Sequence, residues 1–377
     1  MVVLGAVLLR NHEPALFGWR SVEGHRETLL IRPTRAELPP TRSLTPAGGL
    51  VLVQGSLLPR APTRDPVPSA FAVRPDGRLL LGGVSNAGLT LWSVPLCDAY
   101  LETREADGAL VSAQRYDMAS CGGIHAIVPL PDGGALVSGW RREPSARGSF
   151  IATIGPTGRW TQEQALGRED ALALVPMMSG GFLAVGVRQL GEDPSGRLDV
   201  VAWSLDEMGR TSPGAVIRAG LRVPGQRPGI FGRVAAAPVD ADAFVLSYWR
   251  ASDPSDERAP TRPELARVKQ DGTVEWTATL SLAPLRGHTL RHVAFTALPD
   301  GDALAATSSF DGLELFRVSG RTGAVHRTTV PLPDCHGAAL PHIQLLAAPN
   351  GNLFVTGSNA ATEIVPGCAW LARLRGA

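Results

Sequence analysis

Pairs of glycines six residues apart recur along this chain, and that spacing limits what it can fold into. Gly133 and Gly139 bracket "GGALVSG", Gly77 and Gly83 bracket "GRLLLGG", and "SGGFLAVG" and "PNGNLFVTG" carry Gly180/Gly186 and Gly351/Gly357. "PDGDALAATS" keeps Gly301 and puts Thr307 in the second place. "VDADAFVLS" is a degraded copy centred on Ala241, with Asp240 to Asp242 replacing the glycine turn. Apolar residues precede each turn and a β-type run follows it. Glycine and aspartate tolerate positive φ, so each copy reads as a hairpin.

A third strand follows each hairpin. These strands are Thr28–Arg32, Leu89–Val94, Phe150–Ile154, Val200–Ser204, Leu265–Val268, Leu313–Val318 and Trp370–Leu374. A turn and a fourth strand come next, as in "QDGTVEWTATLSL" from Gln270 to Leu282. Four antiparallel strands in roughly 50–60 residues is close to the period of propeller blades. A lone four-stranded sheet cannot bury both faces, whereas blades stacked in a ring can. The expected fold is therefore all-β: one β-propeller domain over residues 1–377, with seven blades expected and six as the rival count. Leu50–Leu58 reads as the outer strand of the first blade. Val2–Leu9 reads as a strand that pairs with the C-terminal blade and closes the ring.

"VKQDGTVEW" and "IGPTGRW" resemble the blades of bacterial quinoprotein-like and kelch-like propellers, which carry a glycine turn and a tryptophan after the third strand. The resemblance implies the ring and nothing about activity. The W-D and G-H signatures of WD40 repeats and a regular kelch signature are missing. No residues identify a quinone pocket.

Net charge is +1, and the 36 basic residues, one of them lysine (Lys269), form no run. That argues against a nucleic-acid groove, which needs clustered cations to neutralise phosphates. No apolar run reaches the roughly 20 residues of a membrane helix. The N-terminal segment lacks a basic n-region and a small-residue cleavage site, leaving a cytoplasmic protein or a processed periplasmic or secreted one. Cys97, Cys121, Cys335 and Cys368 form no C-x-x-C pair. Cys335 and Cys368 both fall on the upper face and are the candidate disulfide in an oxidising compartment; in a cytosolic protein the four read equally well as separate, half-buried thiols. Cys97 and Cys121 read as lying at opposite ends of their strands, so that a bond between them needs an irregular fourth strand.

Candidate chemistry gathers at the upper ends of the first strands. His125, His292 and His342 stand there, with Arg233 and Asp170 in similar places and His288 and His336 in adjoining loops. Imidazoles at one channel mouth can ligate a divalent metal or act as a base near neutral pH. Register separates them: His292 and His342 stand nine residues before their turn glycine, while His125 stands eight before its own and Arg233 eight before Ala241. An offset of one turns a strand residue to the other face unless a bulge intervenes. Trp140, Arg141, Arg142, Trp249 and Arg250, just after second strands, are candidates for a ligand or partner surface. No hydrolase elbow, zincin helix, P-loop or calcium loop occurs. The leading expectation is a non-enzymatic scaffold that binds a protein or other macromolecule through its upper loops, with no cofactor. The alternative is a metal-dependent lyase or hydrolase using His292, His342 and His125, with Arg233 orienting an anionic substrate.

Overall fold

The computed structural model describes residues 2–8, 14–22, 25–31, 56–57, 66–89, 95–118, 121–142, 147–167, 169–189, 198–223, 234–251, 261–282, 293–309, 312–330, 342–347, 352–358 and 369–375. All regular structure among them is β. The strands form consecutive antiparallel meanders in chain order. Unit 1 is β1 (Val2–Leu8), β2 (Pro14–Val22), β3 (His25–Ile31) and β4 (Ser56–Leu57). Unit 2 is β5 (Pro66–Val73), β6 (Leu79–Leu89), β7 (Pro95–Arg104) and β8 (Leu110–Tyr116). Unit 3 is β9 (Cys121–Pro129), β10 (Ala135–Arg142), β11 (Arg147–Ile154) and β12 (Trp160–Gly167). Unit 4 is β13 (Glu169–Pro176), β14 (Phe182–Gln189), β15 (Leu198–Leu205) and β16 (Thr211–Val223). Unit 5 is β17 (Ala235–Pro238), β18 (Ala243–Ala251), β19 (Thr261–Lys269) and β20 (Val274–Thr279). Unit 6 is β21 (Ala294–Ala297), β22 (Ala303–Ser309), β23 (Gly312–Val318) and β24 (Val325–Val330). Unit 7 has β25 (His342–Ala347), β26 (Asn352–Ser358) and β27 (Ala369–Arg375).

Two expectations change. β1 pairs with β2 and is the first strand of its own unit. The link between them is only residues 9–13, and closing so short a loop costs far less entropy than reaching the far end of the chain. The third strand of unit 2 is Pro95–Arg104 instead of Leu89–Val94, because β6 extends as far as Leu89. The outer strand expected within Leu50–Leu58 is present at Ser56–Leu57, paired with Leu30 and Leu29.

One turn design serves both kinds of hairpin. In Leu130–Gly134 the Gly133 N–H bonds to the Leu130 carbonyl (3.0 Å) and the Leu130 N–H to the Gly134 carbonyl (3.0 Å). Gly133 takes φ of 88°, a region closed to most side chains. The Asp132 carboxylate accepts the Gly134 N–H at 2.8 Å, completing the turn. The same pair of backbone bonds closes Arg74–Arg78, Glu105–Ala109, Gly155–Arg159, Met177–Gly181, Asp206–Arg210, Lys269–Thr273 and Leu298–Asp302. The degraded turn closes between Val239 and Ala243, which puts Asp242, and not Ala241, in the glycine's place.

The core lies between units. Ile124, Val137, Phe150 and Ala152 of unit 3 pack with Ala72, Leu80 and Leu101 of unit 2. Leu136, Ile151 and Leu130 meet Phe182, Val201 and Trp203 of unit 4 on the opposite face. Units 4 and 5 share Val185, Val200, Phe244 and Tyr248, and units 5 and 6 share Val245, Leu265, Ala305 and Phe316. Units 3, 4 and 5 are thus buried on both faces by their neighbours. Polar side chains tie the same seams: Tyr116 donates to the Gly158 carbonyl (2.8 Å), and Trp276 and Arg267 donate to the Gly320 carbonyl (3.0 and 2.8 Å).

Candidate functional site

In units 1 to 4 a glycine of the second strand faces a bulge in the neighbouring first strand, whereas in unit 7 Gly357 pairs with Ile343 in unbroken register. Gly139 pairs with Ile124 and Ser138 with Ala126, so His125 is the extra residue. Ser69 and Leu172 are extra in the same place opposite Gly83 and Gly186, and Leu4 opposite Gly18. The bulge brings the first strand's backbone against the second. At Gly139 the Gly123 carbonyl oxygen and the Phe150 ring already occupy the space a β-carbon would need, and at Gly186 the Asp170 carbonyl does. The pairings of β17 and β21 reach only Ser247 and Ala306, one residue short of the slot, which there holds Tyr248 and Thr307.

What lies across from the slot changes with it. Tyr100, Phe150 and Val201 pair with Gly83, Gly139 and Gly186, and the Phe150 ring lies against Gly139. Glu264 and Glu314 pair with Tyr248 and Thr307 instead, and both carboxylates are buried. Tyr248 donates to Glu264 at 2.9 Å, Thr279 does so at 3.2 Å, and Arg250 lies 3.7 Å away. Burial, and after it the Glu264 charge, push the Tyr248 phenol well above its ordinary range. Arg327 donates to Glu314 at 2.7 Å.

This register locates the candidate histidines. His342 pairs with Ser358, one position past the slot. The same position on β9 is Gly123, opposite Trp140, and on β13 it is Asp170, opposite Val187. His125 therefore belongs to the bulge set with Leu4, Ser69 and Leu172, and not with His342. It is half-buried. Asp170 accepts the Ser149 hydroxyl. With Asp242 as the turn residue, Arg233, His292 and His342 all stand nine residues before their turns, a change from the eight counted for Arg233. Arg233, His292, His288 and His336 lie outside the described residues. Among the described residues no three His, Cys, Asp or Glu side chains group closely enough to hold a metal.

The second strands converge on a feature the sequence reading found only in part. Arg141, Arg188 and Arg250 stand at one equivalent position, the eighth after Gly133, Gly180 and Asp242, on the edge opposite those turns. Each meets a carboxylate of its own unit: Glu163, Glu169 and Glu264. Arg141 also lies over the Phe150 ring, 5.9 Å from its centre. Glu169 takes a further bond from the Trp203 indole at 3.0 Å. The three arginine side chains are 28, 25 and 54% exposed. Trp140 is half-buried beside Arg141, whereas Trp249 is packed into the seam between units 5 and 6. Arg142 ends β10, paired with Cys121. Arg188 escaped notice because Val187, unlike Trp140 and Trp249, gives no aromatic flag.

The bond that was expected to need an irregular fourth strand is present. Cys97 and Cys121 form a disulfide, with their Cα atoms 4.3 Å apart. Cys97 begins β7 instead of ending a third strand, so both residues open strands at the same edge, where β7 and β9 make a parallel contact. That contact fuses units 2 and 3 into one eight-stranded sheet. Cys335 and Cys368 lie outside the described residues.

No protein family and no curated protein matches the chain. Solved structures do resemble it. The polysaccharide lyase Uly1 is similar over 99% of this chain and 90% of its own, with a TM-score of 0.57 and 10% identity. The α-L-arabinofuranosidase Arb93A from Fusarium graminearum is similar over 84% and 96%, with a TM-score of 0.51 and 14% identity. A protein of unknown function from Dyadobacter fermentans is similar over 87% and 99%, with a TM-score of 0.50 and 12% identity. These structural neighbours are β-propeller proteins, and the chain shares their all-β, propeller-like fold. At such identities the likeness concerns the fold alone.

Proposed function

We propose that this chain is a seven-bladed propeller that binds a protein partner through the edge where its second strands end. The ring count draws support from the first strands: β1, β5, β9, β13, β17, β21 and β25 touch in series, and β25 touches β1. The observation that carries the binding reading is the row Arg141, Arg188 and Arg250 on three successive units. Carboxylates hold the Arg141 and Arg188 heads in place, so at these two little side-chain entropy remains to be lost when a partner arrives. Arginine is enriched at protein interfaces, where its fork meets carboxylate and carbonyl oxygens. Pairing leaves little net positive charge, which suits a protein surface and not a polyphosphate backbone.

A photo-crosslinking amino acid in place of Trp140, compared with one in place of Glu207 on the opposite edge, tests this. Adducts with one discrete protein from position 140 only are expected. Adducts from position 207 only, or a stoichiometric divalent metal on the purified protein together with substrate turnover, would replace this reading with another face or with the metal-dependent lyase or hydrolase.

A further inference from the structure

Unit 4 departs from the turn chemistry of its neighbours twice, both times with methionine. The second position of the first turn is Pro75, Pro131 and Pro299 in units 2, 3 and 6 and Asp240 in unit 5, but Met178 in unit 4. The third position of the second turn is Asp107, Thr157 and Asp271 in units 2, 3 and 5, but Met208 in unit 4. Asp107 and Asp271 brace their turns by accepting a backbone N–H. In unit 4 that task has moved to Asp206, whose carboxylate accepts the N–H groups of Met208 (2.9 Å) and Arg210 (2.8 Å). Neither methionine side chain is needed to build its turn.

The fold does not bury them either. Met178 is 65% and Met208 51% exposed, the two highest values for large apolar side chains among the described residues. The two turns sit side by side, with the Glu207 carboxylate lying against Gly180. Met118 and Met177 are only 5 and 8% exposed, each inside an inter-unit core.

We propose that Met178 and Met208 form a reversible oxidation site for hydrogen peroxide. The thioether sulfur gives an electron pair to one peroxide oxygen, an S–O bond forms as the O–O bond breaks, and the other oxygen takes a proton and leaves as water. Sulfur is oxidised and peroxide is reduced. The sulfoxide oxygen points into solvent, so no polar group enters a core, and the Met208 carbonyl keeps its bond from Thr153 (3.3 Å). At Met118 or Met177 the same reaction would place a dipole in a packed seam.

Peptide mass spectrometry of the intact protein exposed to limiting peroxide tests this. Sulfoxide is expected at Met178 and Met208 about tenfold faster than at Met118 and Met177. Methionine sulfoxide reductases should return both to the thioether, and the thermal midpoint should not move. The M178L/M208L variant should fold normally and lose both fast oxygen additions. Equal rates at Met118, Met177, Met178 and Met208, fast additions at 178 and 208 that persist in the variant, or a lowered midpoint on oxidation of these two would overturn the proposal.

Discussion

At the scale of single residues, the second glycine of the repeat is a steric statement about the strand beside it. Gly139→Ala pushes a methyl group into the Gly123 carbonyl and the Phe150 ring, and the backbone atom cannot rotate away. A loss of about 3 kcal/mol in urea unfolding is expected, a size reserved for overpacked or strained sites. The spacing was legible in the sequence, but its cause was not, since a bulge belongs to the partner strand and leaves no mark on the glycine's own neighbours. The same gap explains why His125 and His342 looked like near-equivalents. Asp206 carries a second prediction. Burial alone pushes its carboxyl up, but the Arg210 N–H and guanidinium and the Met208 N–H outweigh this and hold it below the ordinary carboxylate range. A depressed folded-state value gives stability above the unfolded pKa of about 3.9 that is lost as pH falls through the folded one. Asp206→Asn should therefore narrow the gap between thermal midpoints measured at about pH 6 and about pH 3.

At the scale of elements, the bulge and the histidine it contains can be separated. Deleting His125 removes the extra residue and turns Cys121 to Ile124 onto the opposite face of β9, so peptide mapping should no longer find the Cys97–Cys121 bond. His125→Ala keeps the bulge and should keep the bond. Should both variants lose it, the side chain and not the backbone count would be responsible. Six of the seven third strands lay within or overlapped their expected positions, because each carries an apolar run after a readable hairpin. The exception, Leu89–Val94, is as apolar as the rest. The true strand, Pro95–Arg104, hides a buried ion pair: Arg104 donates to Glu102 at 2.8 Å and both side chains are almost fully covered. Hydrophobic pattern cannot find a strand whose inward residues are charged. That one misplacement also reversed Cys97 and so hid the Cys97–Cys121 bond. The arginine row was legible only where tryptophan preceded it. Arg188 needed the turn residue as a ruler, and for Arg250 the ruler itself required knowing that Asp242 stands for glycine.

At the scale of the whole molecule, stability resides in the seams. Trp203 fills the boundary between units 3 and 4 and donates to Glu169, so Trp203→Ala should cost about 4 kcal/mol and lower the thermal midpoint far more than any exposed substitution within one unit. Replacing both Cys97 and Cys121 by serine should cost about 3 kcal/mol, the chain-entropy value for a closed loop of this length. Circular dichroism melts of the two variants check both figures. The cross-link also has a mechanical consequence. The bond ties residues 24 positions apart and encloses all of β8, so a chain pulled from its two ends cannot pay out that segment. Stretched to rupture in a force spectrometer, the oxidised protein should fall short of the reduced one by about 80 Å of contour, at roughly 3.5 Å per residue. Units 2 and 3 would then yield as a pair held by a covalent knot at one edge, while their neighbours peel away singly.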